Sequence, residues 1–109
     1  MTIDVDSIAQ QMFGAAFAAV KAKAPRVSNF VKGECAKLAQ TFATIEAEQA
    51  AGQIFEDQAQ ILLEMQKTSM RSVLTAAEGL GLLDAEAAIN AALDIVRTAV
   101  NTALGFALL

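Results

Sequence analysis

The chain has 109 residues, a net charge of −4 and 55% hydrophobic residues, while only 18% of its residues are charged. This balance is too apolar for a disordered protein, and no uncharged run reaches the ~20 apolar residues of a membrane-spanning helix. The absence of histidine and the single cysteine exclude a Ser-His-Asp triad, a histidine-containing di-iron centre, a zinc cluster and an internal disulfide.

The first predicted element is a helix over about residues 6–24. Asp4, Asp6 and Ser7 supply capping oxygens at its start, and Pro25 disfavours helical geometry in the residue before it. Its apolar face consists of Ile8, Met12, Ala15, Ala16, Ala19 and Val20. Phe13 and Phe17 lie beside this face and widen it.

The second predicted element is a helix over about residues 26–50. Its apolar residues alternate at spacings of four and three, as they do along a heptad seam: Val31, Cys35, Leu38, Phe42 and Ile45. Gly52 follows two alanines, which is typical of the end of a helix.

The third predicted element is a helix over about residues 53–78. Glu56 and Asp57 lie in its first turn, where the helix dipole favours acidic side chains, and Gly79 and Gly81 end it. Helical spacing predicts that one face carries Ile54, Gln58, Ile61, Leu62, Met65, Ser69 and Val73.

The fourth predicted element is a helix over about residues 84–108, with Asp84 as its N-cap. Its predicted core face carries Ala88, Ile89, Ala92, Leu93, Val96, Val100, Ala103, Leu104 and Ala107. Its predicted polar face carries Glu86, Asn90, Asp94, Arg97 and Asn101. This division is typical of a helix that lies between a protein core and water.

These four elements predict an all-α fold in a single domain over residues 1–109. The 24 alanines and the single proline favour helix, and no segment alternates long enough to indicate a strand. Because the connections are short, we expect consecutive helices to be antiparallel, as in an up-down-up-down four-helix bundle. The alternative is a pair of helical hairpins that completes its bundle by oligomerisation.

No side-chain set indicates catalysis, a cofactor or a metal. Glu34 and Glu64 have apolar neighbours at helical spacing, but we expect both carboxylates to lie at the edge of an apolar face with their heads in water. Cys35 lies between Val31 and Leu38 on the heptad seam, and we expect it to be buried rather than reactive.

The last residues of the sequence predict a contact between subunits. Phe106, Leu108 and Leu109 extend the apolar character of the fourth helix beyond the row that ends at Leu104. We expect that one bundle does not cover both sets, so that these residues pack on another copy of the chain. Phe13 and Phe17 are predicted to contribute to the same contact.

Charge placement predicts one basic end of the bundle. Five of the eight basic residues lie between positions 21 and 37: Lys21, Lys23, Arg26, Lys32 and Lys37. Two interpretations fit this end: a solvated helix end partly neutralised by Glu78, Asp84 and Glu86, or a surface that docks on an acidic protein partner. Nucleic acid is not an expected partner, because the sequence pI is about 4.6 and no Tyr or Trp offers a stacking surface.

These observations favour a non-enzymatic helical subunit that self-associates and acts as a structural or adaptor component. A virion or assembly component of the phage type fits its size. The alternatives are an amphipathic protein on a lipid or granule surface and a small protein-binding regulator. We expect a cytoplasmic location, or one within an assembly of cytoplasmic subunits, since the sequence opens with acidic residues rather than with a basic targeting segment.

Overall fold

The fold was analysed in a computed structural model that describes residues 3–20, 28–77 and 79–109. The described residues form four α-helices and no strands: α1 Val5–Val20, α2 Ser28–Ala50, α3 Glu56–Ser72 and α4 Leu82–Leu104. A single π-helical turn, Val73–Ala77, continues α3. None of these helices has the length and apolar character needed to cross a bilayer.

Within the described residues, α1 and α3 each pack on α2 and α4, and α2 and α4 also contact each other. Consecutive helices are antiparallel. The backbone N–H of Ile3, before α1, donates to Glu46 Oε1 near the end of α2, at 3.0 Å. Gln60, near the start of α3, donates to the carbonyl of Leu108, just beyond α4. The predicted all-α four-helix bundle is therefore confirmed.

The helices surround a hydrophobic core to which all four contribute. The heptad seam of α2 is confirmed, since Val31, Cys35, Leu38, Phe42 and Ile45 are fully buried. The predicted faces of α1 and α4 are also confirmed, except at Ala19 and Ala107, which are exposed, and at Ala15 and Ala103, which are half-buried. In α1 the buried residues are Ile8, Met12, Ala16 and Val20. In α4 they are Ala85, Ala88, Ile89, Ala92, Leu93, Val96, Val100 and Leu104.

The predicted core face of α3 is wrong at Ile61 and Met65, while Ile54 and Leu62 are partly buried against the core. Ile61 and Met65 are 61% and 60% exposed, whereas Ala59, Leu63 and Met70 are buried. The run Ile61-Leu62-Leu63 fits an apolar stripe on either side of the helix, so that periodicity alone does not choose between them. The small Ala59 on the buried face and the polar partners of Ser69 at its edge fit the orientation that the structure shows.

Several predicted helix boundaries also need correction. α3 begins at Glu56 and not near residue 53, because Gly52 adopts a left-handed φ of 72° and Phe55 has extended N-cap geometry. α4 begins at Leu82 with Gly81 as its N-cap, so Asp84 lies in the first turn. The predicted end of the first helix at residue 24 and the start of the second at residue 26 lie outside the described residues.

The fourth helix ends four residues earlier than predicted. Gly105 adopts a left-handed φ of 80°, and its N–H donates to the carbonyl of Asn101, which ends α4 at Leu104. Left-handed geometry just beyond a helix favours glycine because it has no Cβ. Residues 105–109 are therefore a tail that leaves the helical path.

Candidate interaction surface on α3

An exposed apolar surface runs along the outer side of α3. It consists of Gln60, Ile61, Glu64, Met65 and Thr68, which line a shallow groove; we call these five residues the α3 stripe. Ile61 and Met65 are four residues apart and thus lie one above the other on the helix. Leu63 and Met70 lie about half a turn away around the helix and are buried in the core. α3 therefore has apolar side chains on two opposite faces, one of which no other helix of the described chain covers.

Polar contacts fix α3 on the α2 side. Ser69 Oγ donates to Glu34 Oε1 at 2.7 Å, and Lys37 Nζ lies 2.6 Å from Glu34 Oε2. Glu34 is only 6% exposed. Because a buried carboxylate is costly unless it is paired, these two contacts make its burial tolerable. They also determine the rotation of α3, since Ser69 must face α2.

A second pair of charges fixes α3 on the α4 side. Arg71 Nε donates to Glu86 Oε1, and this hydrogen bond lowers the pKa of Glu86 below its ordinary value. Within α3, Lys67 lies 3.4 Å from Glu64. With Ser69 facing α2 and Arg71 facing α4, the α3 stripe can only face outward.

The structure places the two candidate carboxylates, Glu34 and Glu64, in different environments. Glu64 is exposed, as expected. The expectation for Glu34 is wrong: it is buried, because Ser69 and Lys37 on its two oxygens replace water. The predicted burial of Cys35 is confirmed, and burial, with a smaller effect of Glu34, raises the pKa of its thiol to about 12. Such a thiol is inert, because the thiolate is the reactive form.

The tail residues have partners within the chain. Leu108 is 3% exposed, and Phe106 and Leu109 are partly buried against the same core. The Asn101 side chain accepts the N–H groups of Leu108 and Leu109, both at 3.0 Å, and donates to the carbonyl of Leu109. The premise that one bundle cannot cover these residues is wrong, because Gly105 turns the chain back over it. A subunit contact at Phe106, Leu108 or Leu109 stays a prediction.

The other predicted site residues fall in two groups. Phe13 and Phe17 are both partly buried, with ring centroids 5.9 Å apart; a subunit contact at these two residues also stays a prediction. Of the predicted basic end, Lys32 and Lys37 are exposed near the start of α2, and Lys37 is paired with Glu34. Lys21, Lys23 and Arg26 lie outside the described residues.

Sequence reasoning missed the α3 stripe as a surface because it placed Ile61 and Met65 in the core. A usable signal was present in Ser69 and Arg71, which suit a helix edge better than a core face. The remaining large exposed apolar residues do not form part of this stripe: Phe30, Phe55, Leu82, Leu83 and Ile95.

The described residues contain no group of three or more carboxylate or thiol side chains placed to hold a metal ion. Neither a known protein family, nor a curated protein, nor a solved structure matches the chain. The function is therefore inferred from the exposed residues of α3.

Proposed function

We propose that the protein is a non-enzymatic structural or adaptor subunit that acts by self-association. One observation carries the proposal: Ile61 and Met65 are both about 60% exposed, on a helix whose opposite face is already packed in the core. Contiguous exposed apolar surface on a helix is typical of an interaction site. An assembly of the phage type remains the kind of role that suits a helical subunit of 109 residues.

The chemistry of the α3 stripe supports a protein partner over a lipid surface. Interfacial helices carry mostly Lys and Arg on their polar side. Here the stripe includes Glu64, and Asp57 lies one turn before Ile61 on the same side of α3. These carboxylates would be repelled by anionic lipid, whereas a protein surface can pair them.

Sedimentation velocity or light scattering across a dilution series tests the proposal directly. We expect the chain to be a dimer or larger at tens of micromolar and to dissociate on dilution. A monomer throughout that range would refute self-association. A monomer that floats with liposomes at low salt would instead favour the lipid- or granule-surface alternative.

A further inference from the structure

We propose that α3 packs antiparallel against α3 of a second copy about a two-fold axis, with Ile61 of each chain against Met65 of the other. This inference rests on the proposed self-association and specifies its geometry. The stripe is apolar at Ile61 and Met65, and Glu64, which lies between them, is paired with Lys67 at 3.4 Å. The helix that carries it is acidic in its first turn and basic in its last turn.

The positions of Ile61 and Met65 fit a two-fold axis between two α3 helices. When the two-fold axis passes at the level of residue 63, a residue that lies a given number of positions before 63 in one chain is opposite the residue that lies the same number after 63 in the other chain. Ile61 of one chain then meets Met65 of the other, and the same contact recurs on the second side of the axis. A two-fold contact is self-complementary in this sense, and it forms a closed dimer rather than a filament.

The charges of α3 also favour the antiparallel arrangement. Glu56 and Asp57 lie in the first turn of α3, while Lys67 and Arg71 lie in its second half. In the antiparallel register, the acidic turn of one copy lies opposite residues 69 and 70 of the other, within one turn of Lys67 and Arg71. These two side chains also contact Glu64 and Glu86 of their own chain, so each would be shared between carboxylates. A parallel arrangement would instead place two acidic first turns side by side and align the two helix dipoles unfavourably.

Phe55 is 74% exposed just before α3 begins. The same register places it at the level of Arg71 of the second copy. Arg71 uses its Nε for Glu86 and keeps about a third of its side chain exposed. Its guanidinium can lie over the ring of Phe55, because an arginine binds an aromatic face through the ring quadrupole. Three features therefore agree on one register: the apolar residues, the charged ends and the exposed ring.

Cysteine cross-linking tests this register. The variants Ile61→Cys and Met65→Cys are prepared separately, mixed, and oxidised mildly. The antiparallel register predicts that the disulfide between Cys at 61 and Cys at 65 forms at least fivefold faster than either homodimer. Cys35 gives a silent background, because it is fully buried and its pKa is raised to about 12.

The control is Ile95→Cys, since Ile95 is similarly exposed, at 55%, but lies on α4. Homodimers linked through position 61 or position 65 as the main products would overturn the antiparallel register. Cross-linking no faster than that of the Ile95→Cys control would overturn α3 as the interface.

A second experiment separates this inference from the proposed function. We expect Met65→Glu to raise the dissociation constant of the dimer at least tenfold. Ile95→Glu should leave that constant within twofold of the wild-type value. Both positions are exposed, so both variants should fold, which circular dichroism can check. If the wild type self-associates and Met65→Glu does so equally well, the α3 contact is wrong while self-association stands. A monomeric wild type refutes both.

Discussion

The α1–α4 pair and α3 are held in the bundle by different means. Among the described residues, α1 and α4 make the most extensive helix contact, and α4 buries eight residues, of which three are alanines and none is polar. Small side chains permit the close approach of two helices. The contact between α1 and α4 is almost entirely apolar. α3 contacts α2 and α4 less extensively and buries only Ala59, Leu63 and Met70 before its π-helical turn.

Polar contacts at its edges supplement the shorter apolar contact of α3. Ser69 binds Glu34 on one side, Arg71 binds Glu86 on the other, and Gln60 binds the tail. The difference shows that α1 and α4 serve the fold, whereas α3 divides its apolar residues between the fold and the solvent.

The largest contrast is expected between two isoleucines. Ile89 of α4 is fully buried, and Ile61 of α3 is 61% exposed. We expect Ile89→Ala to lower the free energy of unfolding by about 2–5 kcal/mol, because it leaves a cavity in the core. Ile61→Ala should change the free energy of unfolding of the monomer by less than about 0.5 kcal/mol. Urea denaturation at concentrations low enough to keep the chain monomeric measures both.

The two variants differ only in their site, so each serves as the control for the other. Equal losses would mean that Ile61 is part of the core after all, and that the outer face of α3 has been misassigned.

The tail should have the next largest effect. Leu108→Ala removes a side chain that is 3% exposed, and we expect a loss of about 2 kcal/mol, at the lower end for such changes because the tail can partly collapse. Ala107→Gly, at the exposed neighbouring position, is the control. Deleting residues 106–109 should lower the melting temperature of the monomer. Unchanged stability with weaker association would instead restore Phe106, Leu108 and Leu109 as a subunit contact.

The two regions also differ in how far the sequence predicts them. The heptad seam of α2 was predictable, because four of its five apolar residues have only polar or small residues beside them in the sequence; the exception is Val31, which follows the exposed Phe30. In α3, the consecutive residues Ile61, Leu62 and Leu63 allow either face, and the choice depends on partners 35 residues away in sequence, such as Glu34 for Ser69.

The tail was mispredicted for a similar reason. Helical periodicity continues through Gly105 in the sequence, and its left-handed conformation decides that the chain reverses there. The tail is then held by Asn101 and Gln60, which are polar residues that a periodicity argument assigns to the solvent. The parts that the sequence predicted depend on local pattern, and the parts that it did not predict depend on hydrogen bonds between distant elements.

The polar attachment of α3 to α2 should have an intermediate effect. Ser69→Ala removes the hydrogen bond to Glu34, whose carboxylate is buried, and we expect a loss of about 1.5 kcal/mol, as is usual for a hydrogen bond to a charged group. Thr68→Ala is the matched control, because Thr68 is the exposed neighbouring residue. Equal stability of the two variants in thermal denaturation would show that Ser69 does not help to hold α3.

The smallest effect is expected for the attachment of α3 to α4 through Arg71 and Glu86. Both side chains are about one-third exposed, so solvent screens the pair, and we expect Glu86→Gln to lower stability by less than about 1 kcal/mol at pH 7. The pKa of Glu86 is lowered in the folded chain. Its contribution should therefore be complete above the ordinary pKa of glutamate and disappear as the pH falls through the folded value.

A double-mutant cycle with Arg71→Gln isolates the pair from other carboxylates that titrate in the same range. The coupling energy should be positive at pH 7, fall from about pH 5 downward and weaken in 1 M salt, because screening acts on exposed charges. A coupling that stays constant with pH would show that the contact between Arg71 and Glu86 is one of packing rather than charge. α3 would then be attached to α4 by packing, as α1 is attached to α4. The contrast between α3 and the α1–α4 pair would disappear on the α4 side of α3.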